Sequence, residues 1–314
     1  MPLPFDAKIL ITGAGGLAGK NLVTHMQEQG FTRLIGLTSA DCDLMDAAAT
    51  LACFKRHRPD YVFHLAGHVF GIMGNMKNQA AAWFNNTRIN SFVIDAAQQV
   101  GVRKLLAMGT VAMYPDPLPG NPLREDMIWQ GAPHHSEYGY AQAKRGMLAQ
   151  LEAYHSTHGL NYAMALSTNL YGPHDRFNTA TGHVIPSLIR KFYEAKRDGG
   201  TVTVWGDGSP QRDFLYVPDM ARGLLLIMDK GEGAVNLASG VTVRIRDAVD
   251  ILAELTGLAD RVVWDSSKPN GQALRAYDIS KLRATGISDP TPLATGLTAT
   301  YDWYAANESS ARKD

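Results

Sequence analysis

The sequence predicts an α/β fold, a doubly wound parallel sheet joined to a smaller α/β unit. Three observations predict it. Short apolar runs alternate with longer helical stretches through the first half of the chain. A glycine-rich turn stands between the first such run and the first helical stretch. The alternation breaks after Asn169, where Pro173, Pro186 and a polar cluster mark an insertion. Strands that alternate with helices imply a parallel sheet covered on both faces.

Each element follows in order. Lys8 to Thr12 (KILIT) reads as a short buried strand, and Gly13 to Gly19 leads into a helix to about Gly30. Arg33 to Leu37 is the next strand. A helix follows Asp46, then the strand Tyr61 to Leu65 (YVFHL) and a long helix over Ala80 to Val100. Lys104 to Met108 and Tyr162 to Leu166 read as further strands, with a helix running to about His158 between them. Beyond the insertion, a helix is expected from about Val184 to Lys196 and a strand at Thr201 to Trp205. Phe214 to Asp229 is expected to return to the main sheet. Two helices close the chain, near Arg246 to Thr256 and Leu293 to Ala305.

The chain has 314 residues, enough for one large domain or two modest ones. Lys and Arg total 30, as do Asp and Glu, so no global charge draws the protein to nucleic acid or to an anionic membrane. The two cysteines, Cys42 and Cys53, make no disulfide framework and no all-thiolate zinc site. No signal-like segment or bilayer-spanning run is read, so the cytoplasm is the expected compartment.

The glycine turn sits where a dinucleotide loop must sit, between a strand and a helix. Gly13, Gly16 and Gly19 allow a tight turn and close backbone approach, and the helix start offers amide donors to a pyrophosphate. Leu17 and Ala66 complete the expected cofactor contacts. The second strand ends Leu37-Thr38-Ser39-Ala40, with neither an acid for ribose hydroxyls nor an arginine. Ser39 can donate to a 2′-phosphate, so the loop favours NADP(H) over NAD(H). Asp43 and Leu44 are expected at the adenine edge, with Asp43 as an alternative helix cap.

Tyr140 and Lys144 are four residues apart in a helical stretch, so both side chains share one face. There a lysine ammonium can favour the phenolate and bring the phenol into use near neutrality. Thr110, at a strand end, adds a hydroxyl. Such a set can move a proton at an alcohol or ketone oxygen while hydride moves at its carbon.

With these residues in place the chain resembles the extended short-chain dehydrogenase/reductase family. Further along, Ser167 to Asp175 (STNLYGPHD), Gly182 to Pro186 (GHVIP), Val204-Trp205-Gly206, Arg212 to Leu215 (RDFL) and Lys268 to Gly271 (KPNG) resemble its GDP-L-fucose synthase branch. The resemblance covers nearly the whole chain. It implies a Rossmann-like NADP-binding domain over 1–172 with a return segment about 213–232. It also implies a smaller substrate-binding domain over 173–212 and 233–314, and a homodimer. The implied reaction is NADPH-dependent reduction of a GDP-4-keto-6-deoxy sugar.

Carried over by motif position, Thr110 stands for the family's serine. Tyr140 protonates O4, and Lys144 holds the nicotinamide ribose and favours the tyrosinate. Asn169 lies near the nicotinamide and the substrate. Asn178, His183, Lys191, Trp205, Arg212 and Arg275 are the implied substrate residues. One position departs. Where the family carries a cysteine that abstracts protons next to the ketone, this chain has Ala112, while the partner acid is matched by His183. Reduction without epimerisation, epimerisation by another base, and a substitution made to trap a complex are all consistent with this. A nucleotide-sugar 4-epimerase and a non-catalytic NADP-binding regulator remain alternatives. His134 and His135 are adjacent and point in different directions, so no metal site is expected.

Overall fold

The computed structural model describes residues 3–69, 71–179, 182–267 and 272–313. Its strands are β1 (Ile9–Thr12), β2 (Leu34–Leu37), β3 (Tyr61–His64), β4 (Lys104–Thr110), β5 (Tyr162–Ser167) and β6 (Asn169–Tyr171), then β7 (Val202–Trp205), β8 (Gln211–Tyr216), β9 (Gly233–Leu237), β10 (Thr242–Arg244) and β11 (Val262–Asp265). The helices are α1 (Leu17–Glu28), α2 (Ala47–His57), α3 (Gly71–Lys77), α4 (Gln79–Val100) and α5 (Tyr138–His158), then α6 (Val184–Asp198), α7 (Val217–Lys230), α8 (Ile245–Thr256), α9 (Ser280–Ala284) and α10 (Leu293–Asn307).

The main sheet has six parallel strands in the order β2-β1-β3-β4-β5-β9. β1 is buried along its whole length, which is why its sequence is a continuous apolar run rather than an alternating one. Strand order reverses between β1 and β3, and the loops after these two strands meet there. Gly13 has φ +70°, and a Cβ on it would lie 2.8 Å from the backbone nitrogen of Ala66. Only glycine fits both the turn and the approach. This is the switch point at which open α/β sheets bind ligands.

A buried histidine pins the same crevice. His64, at the end of β3, lies 2.8 Å from the Thr12 hydroxyl and 3.1 Å from Asn90 Oδ1. The Thr12 hydroxyl in turn accepts from Ala66 N–H. Burial, and then the charge of Lys144, push His64 down to about 3, so it serves as a neutral strut.

Two apolar clusters form. One fills both faces of the main sheet and the helices on it. The other packs α6, α8 and α10 around Phe177, Phe192 and Tyr304, with Phe177 and Tyr304 ring centroids 4.5 Å apart. The return to the main sheet lies later than the sequence suggests. β8 pairs with β6 and β10 in a three-stranded sheet, and the segment that rejoins the main sheet is β9, reached through α7. The expected boundary at residue 233 falls at the start of β9 and so leaves this main-sheet strand outside the expected return segment. The reason is local: Phe214-Leu215 and Val235 to Leu237 are both short stretches with apolar residues that read as strands, and only pairing separates them. β7 pairs with β11 in a separate two-stranded sheet. The Lys268 to Gly271 motif lies outside the described residues. Among those described, no helix is long and apolar enough to cross a membrane.

Candidate functional site

A cleft of about 460 Å³ opens at the C-terminal ends of β1, β3, β4 and β5. Thr110, Tyr140 and Lys144 line it together with Leu17, Ala18 and Gly67 from the β1 and β3 ends. Asn169, His183, Arg212 and Arg275 line it from the opposite side, and Ala112 is part of its wall.

The β4 end and α5 hold Thr110, Tyr140 and Lys144. β4 ends at Thr110, whose Oγ1 accepts from Ala112 N–H at 3.2 Å and so caps the short turn that follows. α5 starts at Tyr138, which places Tyr140 in its first turn and Lys144 one turn on. Both are buried, at 8% and 2% exposure. Lys144 Nζ donates to the Met108 carbonyl oxygen at 2.8 Å, tying α5 to β4. Arg145 does the same through Met113.

The electrostatics differ from the expectation. Burial, with the charge of Glu137 as a second cause, raises the Tyr140 phenol above its usual range, so the lysine does not lower it in this arrangement. Burial alone lowers Lys144 to about 8. Desolvation thus exceeds the attraction that the four-residue spacing suggests, because both groups lie in the same low-dielectric wall. The phenol holds its proton at neutral pH, the form an acid needs.

His183 caps α6 by position rather than by a side-chain bond. Its ring is reached by solvent through the cleft, yet desolvation and the charge of Arg176 hold it below its usual range, which keeps the imidazole neutral at pH 7. Arg212 Nη1 donates to the carbonyl oxygens of Gln211 at 2.8 Å and Gln272 at 2.7 Å. Desolvation, and then the charge of Arg275, lower its pKa. The Arg275 Nε is buried without a hydrogen-bond partner. Two neighbouring guanidinium groups with donors to spare are chemically suited to an anion. Asn169 Nδ2 is engaged by the Asp213 carbonyl oxygen at 3.0 Å.

Three expected residues lie apart from the cleft lining. Lys191 Nζ donates to Thr203 O at 2.9 Å and sits 6.0 Å from the Trp205 ring centroid, so these two pair on the β7 surface. Asn178 Nδ2 donates to Lys313 O at 3.0 Å, joining its loop to the C-terminal segment.

On the cofactor side, Gly16 precedes α1 with no side-chain cap and no acid in the first turn, and Gly19 packs against the loop backbone. The free first-turn amides and the close-packed glycines fit a pyrophosphate. Ser39 is exposed on the loop after β2. Asp43 is not the helix cap: its carboxylate accepts from Met45 N–H, and Asp46 caps α2 through Ala49 N–H at 2.7 Å. Leu44 packs partly on the core. Cys42 and Cys53 are buried free thiols. Cys42 is raised to about 12, by burial first and its neighbour Cys53 second.

Several lining residues carry no motif signal: Asn75, His134, Ser136, Glu137, Gln272 and Tyr277. His134 is 2.7 Å from Ser136 Oγ and 3.8 Å from the Asp116 carboxylate, which Gln272 also holds at 2.5 Å. No group of three metal-ligating side chains forms among the described residues. The one sequence clue to this wall is Glu137, three residues before Tyr140 and so on its helical face.

Comparison with known proteins places this geometry. Residues 9–238 match the NAD dependent epimerase/dehydratase family. A probable GDP-L-fucose synthase 1 of Oryza sativa is 38% identical over 98% of this chain and 94% of its own length. A GDP-L-fucose synthetase of Naegleria fowleri, solved bound to NADP, superposes with a TM-score of 0.94 at 31% identity, covering 100% of this chain and 97% of that one. A GDP-mannoheptose C4 reductase of Campylobacter jejuni with NADP bound gives 0.87 at 26% identity over 96% of this chain and 99% of its own. The chain belongs to the NAD dependent epimerase/dehydratase family and, within it, to the GDP-L-fucose synthase group.

Proposed function

We propose that this protein reduces the C4 ketone of a GDP-linked 4-keto sugar with NADPH and leaves C3 and C5 unchanged. The observation that carries the reading is a buried Tyr140 sharing one cleft with Thr110 and Lys144. NADPH supplies the hydride when bound. Tyr140 delivers its proton to O4 as the oxygen gains charge. Thr110 offers a second hydroxyl to the same oxygen. Lys144, anchored on Met108, would hold the nicotinamide ribose and supplies positive charge that stabilises Tyr140 once it has lost its proton. Arg212 and Arg275 take the diphosphate.

Ala112 supports the absence of epimerisation, because a methyl group takes no proton from carbon. His183 is then left without its partner. NADP(H) over NAD(H) is supported by the loop after β2. Its nearest acid, Asp41, accepts from both the Thr38 N–H at 2.8 Å and its hydroxyl at 2.7 Å, so that carboxylate is committed to the turn. The two apolar clusters support a cofactor unit and a substrate unit, with β9 assigned to the former.

A homodimer through α4 and α5 is supported by exposed aromatic residues on that face. Trp83, Phe84, Trp129 and Tyr138 are each about half exposed there, beside a shallow groove. The direct test of the activity is NADPH oxidation with GDP-4-keto-6-deoxy-D-mannose. Oxidation at rates well above the protein-free control is expected. No oxidation with any GDP-4-keto sugar sinks the reading.

A further inference from the structure

We propose that Glu137 accepts a hydrogen bond from the hydroxyl on the sugar carbon next to the ketone, so that the substrate class is a GDP-4-keto sugar retaining its C3 hydroxyl. The inference rests on the reductase reading above and names what the site selects.

Glu137 lines the cleft one helical step before Tyr140. Its charge acts on the Tyr140 phenol, so the two groups are electrostatic neighbours. Its position is held from outside. Gln79 Nε2 donates to Ser136 O at 2.9 Å, and Gln79 Oε1 accepts from Gly139 N–H at 2.6 Å, so one side chain grips the backbone on both sides of Glu137. A side chain on Gly139 would strike the Gln79 backbone, which explains the glycine there.

Asn75 holds the carboxyl in place. It is 1% exposed and hydrogen-bonds the Glu137 carboxyl. This wall therefore presents a fixed carboxyl oxygen, and its complement is a hydroxyl proton.

Chemistry identifies which hydroxyl. In a pyranose with a ketone at C4, the flanking carbons are C3, which carries a hydroxyl, and C5, which carries the ring oxygen and C6. A group beside the acid that protonates O4 faces one of these two, and only C3 offers a donor. A bare carboxylate next to O4 would oppose the charge that builds there during reduction. A C3 hydroxyl between them removes that conflict by donating to the carboxyl oxygen, whose acidity burial has already weakened.

The test compares two ketones, GDP-4-keto-6-deoxymannose and its 3-deoxy analogue, by kcat/KM for NADPH oxidation. The wild type is expected to prefer the 3-hydroxy ketone by roughly 100-fold, the cost of leaving a buried acceptor unsatisfied. Glu137→Gln, which keeps a weaker acceptor, should cut the preference to about 10-fold, and Glu137→Ala to near unity. The ratio is insensitive to how much folded enzyme each preparation holds. A wild-type ratio near one, or variants that slow both ketones equally, would overturn the inference. Failure of both ketones to oxidise NADPH with the wild type would instead remove the reductase reading, and this inference with it.

Discussion

The two sides of the cleft are built by different means. The β4–α5 side is local: Thr110, Tyr140 and Lys144 come from one strand–helix unit, and Lys144 and Arg145 anchor it to carbonyl oxygens of β4 and the turn beyond. The facing side is assembled from separate segments, with Asn169 after β5, His183 before α6, Arg212 in β8 and Arg275 beyond β11. In the reading proposed above, the first side, with Tyr140 and Lys144 buried, carries the proton chemistry. The second is proposed to carry recognition, and there Arg212 is held by the backbone oxygens of Gln211 and Gln272. The difference implies that damage to the first lowers turnover, while damage to the second raises KM.

The largest expected effect breaks the first side. Tyr140→Phe should lower kcat by about 10²- to 10⁴-fold, measured by NADPH oxidation, while NADPH fluorescence titration shows the cofactor still bound. Next is Lys144. Its pKa near 8 means that its cationic form is lost as pH rises through about 8, whereas Tyr140, raised by burial, keeps its proton over that range. The kcat profile should therefore decline above about pH 8. In Lys144→Met that limb should disappear, with kcat reduced on the order of 100-fold. A decline that persists in the variant would assign it to another group.

The second side is tested by Arg212→Ala, for which KM should rise about 10- to 100-fold with kcat nearly unchanged, since an interaction made equally in ground and transition states is lost. A fall in kcat with constant KM would place Arg212 in the chemistry and erase the contrast. A smaller gain is expected from Ala112→Cys. Incubated with a GDP-4-keto sugar in D2O, it should show slow deuterium incorporation next to the ketone by mass spectrometry where the wild type shows none, provided His183 is intact. The smallest effect on turnover is expected from Trp83→Glu on the α4 face. Light scattering should report a shift from dimer to monomer, and an unchanged mass would remove the dimer proposal.

The same contrast explains what could be read from the sequence. The local side was legible because its spacing is helical: Tyr140 and Lys144 share a face whatever else the chain does. The glycine loop was legible for a similar reason, since Gly13 and Gly19 answer to contacts with the adjoining loops. What four-residue spacing cannot carry is dielectric. The lysine was expected to pull the phenol down, and burial pushes it up instead. The assembled side was legible only through motif resemblance, which brought Arg212, Arg275 and His183 into the cleft lining but also suggested Lys191, Trp205 and Asn178, which are absent from that lining. Asn75, His134 and Glu137 had no motif at all. Their arrival depends on α3 packing against the turn before α5 and on Gln79 bridging two segments distant in sequence.

A reductase side without a working epimerase side is what Tyr140 and Ala112 together imply. One measurement addresses both halves: the NMR spectrum of the product formed from GDP-4-keto-6-deoxy-D-mannose and NADPH in D2O. The account predicts a C4 alcohol with the C3 and C5 configurations retained and no deuterium at either carbon. A fucose-configured product carrying deuterium at C3 and C5 would contradict it.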